Sequence, residues 1–290
     1  MEWLGAVLQR FRFRGPLLVG GRRAGFTLLE AIVALTLSSV IVTLVSSVFL
    51  TQNNFYRTVV QRTRVQDNLR VVTDLIASEI RGVAGGGVTI AESGRLVVHL
   101  PIAYAGVCRD GSGHGHVYMP GLSGINGDEV AGYARQDTNG DWTYTADTWS
   151  NLLVSSGSND ADECLEASSS DTVGATADFA RLDISGSNTI GEVIMIYRDV
   201  EFEIDDSELD PQTLAVYRKV TGDSRREFAT GITSDTKFQY RLPMGTYQNS
   251  ITGASLVDIE KIRVITSASG RGAGAYSYEW TVGIPLRNSN

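Results

Sequence analysis

The chain has 290 residues, a formal net charge of −8 at pH 7, and 42% hydrophobic against 20% charged residues, enough apolar content for one or two domains with a substantial core. The charge is unevenly placed: Arg10, Arg12, Arg14, Arg22 and Arg23 are opposed in the first 25 residues only by Glu2, so the rest of the chain is more acidic than the whole. An acidic surface repels phosphate backbones, which counts against nucleic acid as the main partner unless a local basic patch overrides it.

Between Phe26 and Leu50 there is no Lys, Arg, Asp, His or Pro, and Glu30 is the single ionisable side chain. A helix of about 25 such residues is roughly 37 Å long, enough to cross a hydrocarbon core of about 30 Å. Arginines before it and a long polar chain after it predict a cytoplasmic N-terminus and an exported C-terminal part. No small-residue cleavage site follows the apolar run, as an ordinary secretory signal would require.

The stretch Arg22-Arg23-Ala24-Gly25-Phe26-Thr27-Leu28-Leu29-Glu30 resembles the cleavage and methylation motif of type IV prepilins and type II secretion pseudopilins. The resemblance implies a leader, residues 1–25, cut between Gly25 and Phe26 by the prepilin peptidase. Phe26 then becomes the N-methylated first residue and Glu30 the fifth. A carboxylate inside a membrane helix costs about 2.5–3.5 kcal/mol on insertion scales and so calls for a partner. In this family the partner is a neighbouring subunit's α-amine, which would set axial register; the plain alternative is a carboxylate that snorkels to the interface.

Beyond the apolar run, residues 51–82 continue as an amphipathic helix, with Val65, Leu69, Val72, Ile76 and Ile80 at steps of three and four. No Pro or Gly interrupts Phe26 to Arg81, and Gly82 with Gly85, Gly86 and Gly87 predicts the stop. Downstream, period-two segments read as strands: RLVVHLPI, EVAGYARQ, DWTYTA, EVIMIYRDVEFEI, TLAVYRKV, EFATGI, TKFQYRL, LVDIEKIRVITSAS and YSYEWTVGIPLRN. The expected class is α+β: a long N-terminal helix packed on a mostly antiparallel sheet within a globular part, residues 83–290. Residues 190–287 resemble, more loosely, the C-terminal region of PilW-type minor pilins and of J-type minor pseudopilins.

Residues 103–190 are rich in Gly, Ser and Asp and read as a loop-rich insertion, serving either binding or spacing. Cys108 and Cys164, the only cysteines, both fall in it; in an oxidising periplasm a disulfide is expected, against the alternative of two free thiols. Asp137, Asn139 and Asp141 have the alternate spacing of calcium-loop ligands. Trp142 stands where that loop needs Gly, however, and a tight turn on Asn139-Gly140 explains the same residues. His114 and His116 supply two of the ligands a metal would need, and Asp205-Asp206 reads as a solvated turn. No nucleophile motif or phosphate loop is present, and no catalytic residue or other cofactor is expected.

The resemblance implies a minor type IV pilin: a single-pass inner-membrane precursor that joins other minor pilins, the major pilin and the inner-membrane assembly machinery. It would help to initiate a pilus from a tip or priming complex. The alternatives are a minor pseudopilin of a secretion tip, or a tip adhesin or DNA-binding module acting through residues 103–190.

Overall fold

The structure is a computed structural model and describes residues 26–109, 111–137, 139–157, 164, 178–270 and 276–286. One long helix, α1 (Leu28–Ile80), begins two residues after Phe26 and ends just before the predicted glycines. Thr27 caps it, its Oγ1 accepting from the Glu30 backbone N–H at 3.3 Å. At the other end Gly86 takes a φ of 75°, while a Cβ on Gly87 would meet the Tyr144 hydroxyl and Val83 at 2.9 Å. Only glycine satisfies both demands.

The described residues divide into two units, one ending at Thr58 and the other beginning at Val59. In the first, no described side chain is buried, and α1 is here long and apolar enough to cross a membrane. The hydroxyls of Thr36, Ser39, Thr43, Ser47 and Thr51 donate to carbonyls three or four residues back, so these polar groups are satisfied inside the helix.

In the second unit, α1 buries Leu69, Val72, Thr73, Ile76, Ala77 and Ile80, and Val65 is partly buried at the end of the same stripe. The strands are β1 (Val88–Ala91), β2 (Arg95–Arg109), β3 (Gly111–Tyr118), β4 (Gly132–Gln136), β5 (Trp142–Ala146), β6 (Leu153–Ser156) and β7 (Phe179–Asn188). They continue with β8 (Val193–Asp206), β9 (Leu214–Val220), β10 (Arg226–Ile232), β11 (Lys237–Arg241), β12 (Tyr247–Gln248), β13 (Lys261–Gly270) and β14 (Tyr276–Pro285). A short helix, α2 (Trp149–Leu152), precedes β6. All pairings are antiparallel: a ten-stranded sheet runs β10-β9-β8-β2-β3-β7-β6 with β1, β4 and β5 attached, and a four-stranded sheet runs β12-β11-β13-β14. The α+β class read from the sequence is the class observed.

Strands β2 and β8 pair from Arg95↔Glu203 to Gly106↔Val193, with one irregularity between Pro101 and Ala103. On one side of that irregularity the ribbon joins a core under α1, where Ile76 and Ile80 meet Leu96, Val98, Phe202 and strands of the small sheet. Each such aliphatic or aromatic side chain contributes about 1.5–3 kcal/mol when fully buried. Thr73 and Thr266 share a 2.7 Å hydroxyl hydrogen bond inside this core, and Arg218 grips Glu79 through two 3.0 Å contacts.

On the other side of the irregularity lies a separate core of Val107, Val117, Tyr133, Leu152, Leu182, Ile184, Ile194 and their neighbours. This corrects the loop reading of residues 103–190. GVCRDGSGHGH lies largely in the β2–β3 hairpin, and β6 and β7 extend the same sheet. Glycine masked the strands: in Gly-Ser-Gly-His-Gly-His-Val every apolar-side position but the last lacks a large side chain, so no alternation shows. Most of SSGSNDADECLEASSSDTVGATADF lies outside the described residues.

Two strand ends also differ from the reading. EVAGYARQ forms a strand only from Gly132, because Gly127–Glu129 makes a turn of 3-10 helix capped by Asn126; LVDIEKIRVITSAS does so only from Lys261, after a 3-10 turn at Gly253–Leu256. Asp205 and Asp206 end β8 rather than occupy a solvated turn. Asp205 is bound by Arg225 at 2.7 Å, which holds its carboxyl below the usual carboxylate range.

Candidate functional site

The N-terminal site is set by the start of α1. Phe26 is 80% exposed and precedes the cap, and Glu30 lies in the first turn. Thr27 and Glu30 have the Thr-x-x-Glu spacing of a capping box, of which the Thr27 half is formed. Thr27 is the residue the reading of this region passed over, and that spacing was the signal that could have found it. A carboxylate in the first turn also favourably meets the positive end of the helix dipole. Glu30 has no ion-pair partner among the described residues, so a cation for it has to come from outside them. Gly25 lies outside the described residues.

Cys108 at the end of β2 and Cys164 are joined in a disulfide, with their Cα atoms 5.3 Å apart and a sequence separation of 56. They pack with Phe179 and Tyr118, whose rings lie 5.2 Å apart, so the bond secures the outer edge of the second core.

Asp137, Asn139 and Asp141 come together as the β4–β5 hairpin turn. The Asp137 carboxylate accepts from the backbone N–H groups of Asn139 at 2.8 Å and Asp141 at 2.9 Å, and the Gln136 amide donates to the Gly140 carbonyl at 2.9 Å. Gly140 takes a φ of 93°. The Asp141 backbone N–H leads the groups that hold the Asp137 carboxyl below its ordinary value. Donors supplied by the chain itself thus occupy the oxygen that a calcium ion would use. His114 Nδ1 stands 3.7 Å from Asp183 Oδ1 across β3 and β7. No group of three or more His, Cys, Asp or Glu side chains suited to a metal is assembled among the described residues.

One cluster escaped the sequence reading. His99 Nδ1 lies 2.6 Å from Asp199 Oδ1, and its ring stacks on Tyr144 at 4.7 Å and lies tilted against Tyr197 at 4.1 Å. Burial pushes the Tyr197 hydroxyl up to about 12 and raises that of Tyr144 further. The cluster fastens the β4–β5 hairpin to the β2–β8 ribbon, and its members lie up to 100 residues apart, so nothing local announces it.

Residues 21–46 match the family model for the prokaryotic N-terminal methylation motif. Comparison with curated proteins returned no match, nor did comparison with solved structures. The matched motif runs into an exposed apolar helix and is followed by an antiparallel-sheet domain, and together these support a type IV pilin-like or pseudopilin-like protein.

Proposed function

We propose that the chain is a minor type IV pilin of the PilW type, a structural subunit rather than an enzyme, that helps to initiate pilus assembly in a tip or priming complex. The observation that carries this reading is the methylation motif at residues 21–46 leading into an apolar helix with no buried side chain before Val59. Such a surface needs lipid first and other subunits afterwards. The leader is cut between Gly25 and Phe26, Phe26 is N-methylated, and the precursor sits in the inner membrane with its sheet domain in the periplasm. Glu30 then pairs with the α-amine of a neighbouring subunit and fixes the register of the bundle. The loose resemblance of residues 190–287 to PilW-type pilins favours a minor subunit. It extends to J-type pseudopilins, so a secretion-system tip is the second reading.

N-terminal sequencing of protein from sheared pili should begin at N-methylated Phe26, and any other start refutes the processing step. Glu30→Ala should insert and be processed normally, because the helix becomes more apolar, while its pilus-bound fraction falls. An unchanged pilus-bound fraction would remove the register role. Loss of this chain should abolish pili if it primes assembly; if secretion fails and pili remain, the pseudopilin reading takes over.

A further inference from the structure

We propose that the outer face of the four-stranded sheet is a docking surface for an extended, carboxylate-bearing segment of another protein. The face is defined by register. Gln239 opposes Arg263 and Arg241 opposes Lys261, while the intervening Phe238, Tyr240, Ile262 and Val264 are buried in the core under α1. Side chains directly opposite one another share a face, so Lys237, Arg241, Lys261 and Arg263 all stand on the side away from that core.

These four cations are poorly answered. Glu260 serves both Arg241, at 3.0 Å, and Lys261, at 3.6 Å. Neither Lys237 nor Arg263 makes an ion pair with any described residue. Elsewhere the chain spends its arginines internally: on β8, Glu201 is met by Arg95 at 2.6 Å, and Glu203 and Asp205 are both met by Arg225 at 2.7 Å. On a chain of net charge −8, four cations on one sheet face answered by the single carboxylate Glu260 leave a local positive surface that calls for an anion.

Arg263 is also prepared for one. Its guanidinium carbon lies 3.5 Å above the Tyr247 ring, which holds the planar fork in place before any partner arrives. Gly283 opposes Arg263 on β14 and adds no side chain on that flank. The hairpin that carries Tyr247 turns at Leu242 to Gly245, where the Gly245 N–H donates to the Leu242 carbonyl at 3.0 Å. Within that turn Met244, fully exposed, takes a φ of 56°, the one positive φ of a described residue other than glycine. A left-handed conformation costs a residue with a β-carbon free energy, and backbone outliers of this kind cluster at working surfaces. Met is also an adaptable apolar contact.

The occupant follows from spacing. Lys261 and Arg263 are two residues apart on one strand, about 6.6 Å. An extended segment with acidic residues at i and i+2 presents carboxylates at the same interval, and Arg binds them bidentately. A nucleic acid offers a similar anion spacing, but its long run of phosphates would meet the acidic remainder of the domain, which a short segment avoids. The surface stands on this face alone and applies to a pilus or a secretion filament alike.

The test uses the full-length protein in detergent and a fluorescein-labelled peptide of alternating threonine and glutamate, followed by anisotropy. The same peptide with glutamine in place of glutamate is the control. The glutamate peptide should bind at least about tenfold more tightly, and Arg263→Glu and Lys237→Glu should each weaken it by about tenfold or more. Arg70→Glu, on exposed α1, should leave binding unchanged. If Arg263→Glu alters the melting curve, Lys237→Glu carries the result, since the Lys237 side chain makes no hydrogen bond or ion pair with a described residue. Equal binding of the two peptides, indifference to Lys237→Glu, or displacement of the peptide by a single-stranded oligonucleotide that binds more tightly would each overturn the proposal.

Discussion

The core under α1 and the core enclosed by residues 103–196 are threaded by the same two strands, β2 and β8, yet they are closed by different means. The first is closed by burial: a helix lays Leu69, Ile76 and Ile80 against two sheets, and its ion pairs, Glu79 with Arg218 and Arg95 with Glu201 among them, lie at the margin of that buried layer. The second has only the one-turn α2 and is closed by ties. Arg135 donates to Glu192 at 2.6 Å and to the Ser185 and Ser187 carbonyls, Arg198 reaches Glu129 at 2.5 Å, and the disulfide holds the far edge. Where no long apolar helix is available to cover a sheet, a crosslink and charge-assisted hydrogen bonds substitute for buried area.

If this contrast is right, lesions in the two cores should differ in reach. Phe202→Ala, within the shared ribbon and 1% exposed, should cost about 3–5 kcal/mol and lower the denaturant midpoint of the whole sheet domain. Two separable unfolding transitions in that variant would break the picture of one shared spine. Replacing Cys108 and Cys164 by serine should cost roughly 2–4 kcal/mol, chiefly by freeing the unfolded chain. Hydrogen exchange should then rise at Leu182 and Ile184 while Ile76 and Ile80 stay protected; equal loss at both would make the two cores one unit.

A smaller effect is expected from Arg135→Gln, about 1–2 kcal/mol, because three acceptors lose a charged donor but water can reach some of them. It should be read as a shift in the exchange of β7 amides rather than of α1. The smallest concerns Arg198 and Glu129. Arg198 is the leading cause that holds the Glu129 carboxyl below its ordinary 4.5, so this pair stabilises the fold above that value. The contribution is lost as pH falls through the lowered folded value. Arg198→Gln should change stability at pH 7 by under about 1 kcal/mol and flatten the loss in the acid range below 4.5. An acid limb unchanged by the substitution would show that the pair does not participate.

Local sequence was enough for whatever depends on neighbours along the chain. The apolar run and its basic flank, the glycines after Ile80, and the three- and four-residue steps from Val65 to Ile80 specify α1, because helix formation and one-faced burial are short-range properties. The Gly25-Phe26-Thr27-Leu28-Leu29-Glu30 string carries the processing motif for the same reason, and Asn139-Gly140 carries its hairpin. Tertiary structure alone decided that residues 103–196 build a second core, that His99 meets Asp199 and Tyr144, and that Arg263 lies over Tyr247 with no carboxylate among the described residues to answer it. Each of these depends on strands brought together from distant parts of the chain. Glycine-rich strands hide the alternation that would reveal them, and the pairing partner of a charge is fixed by sheet register, which no single stretch of sequence contains.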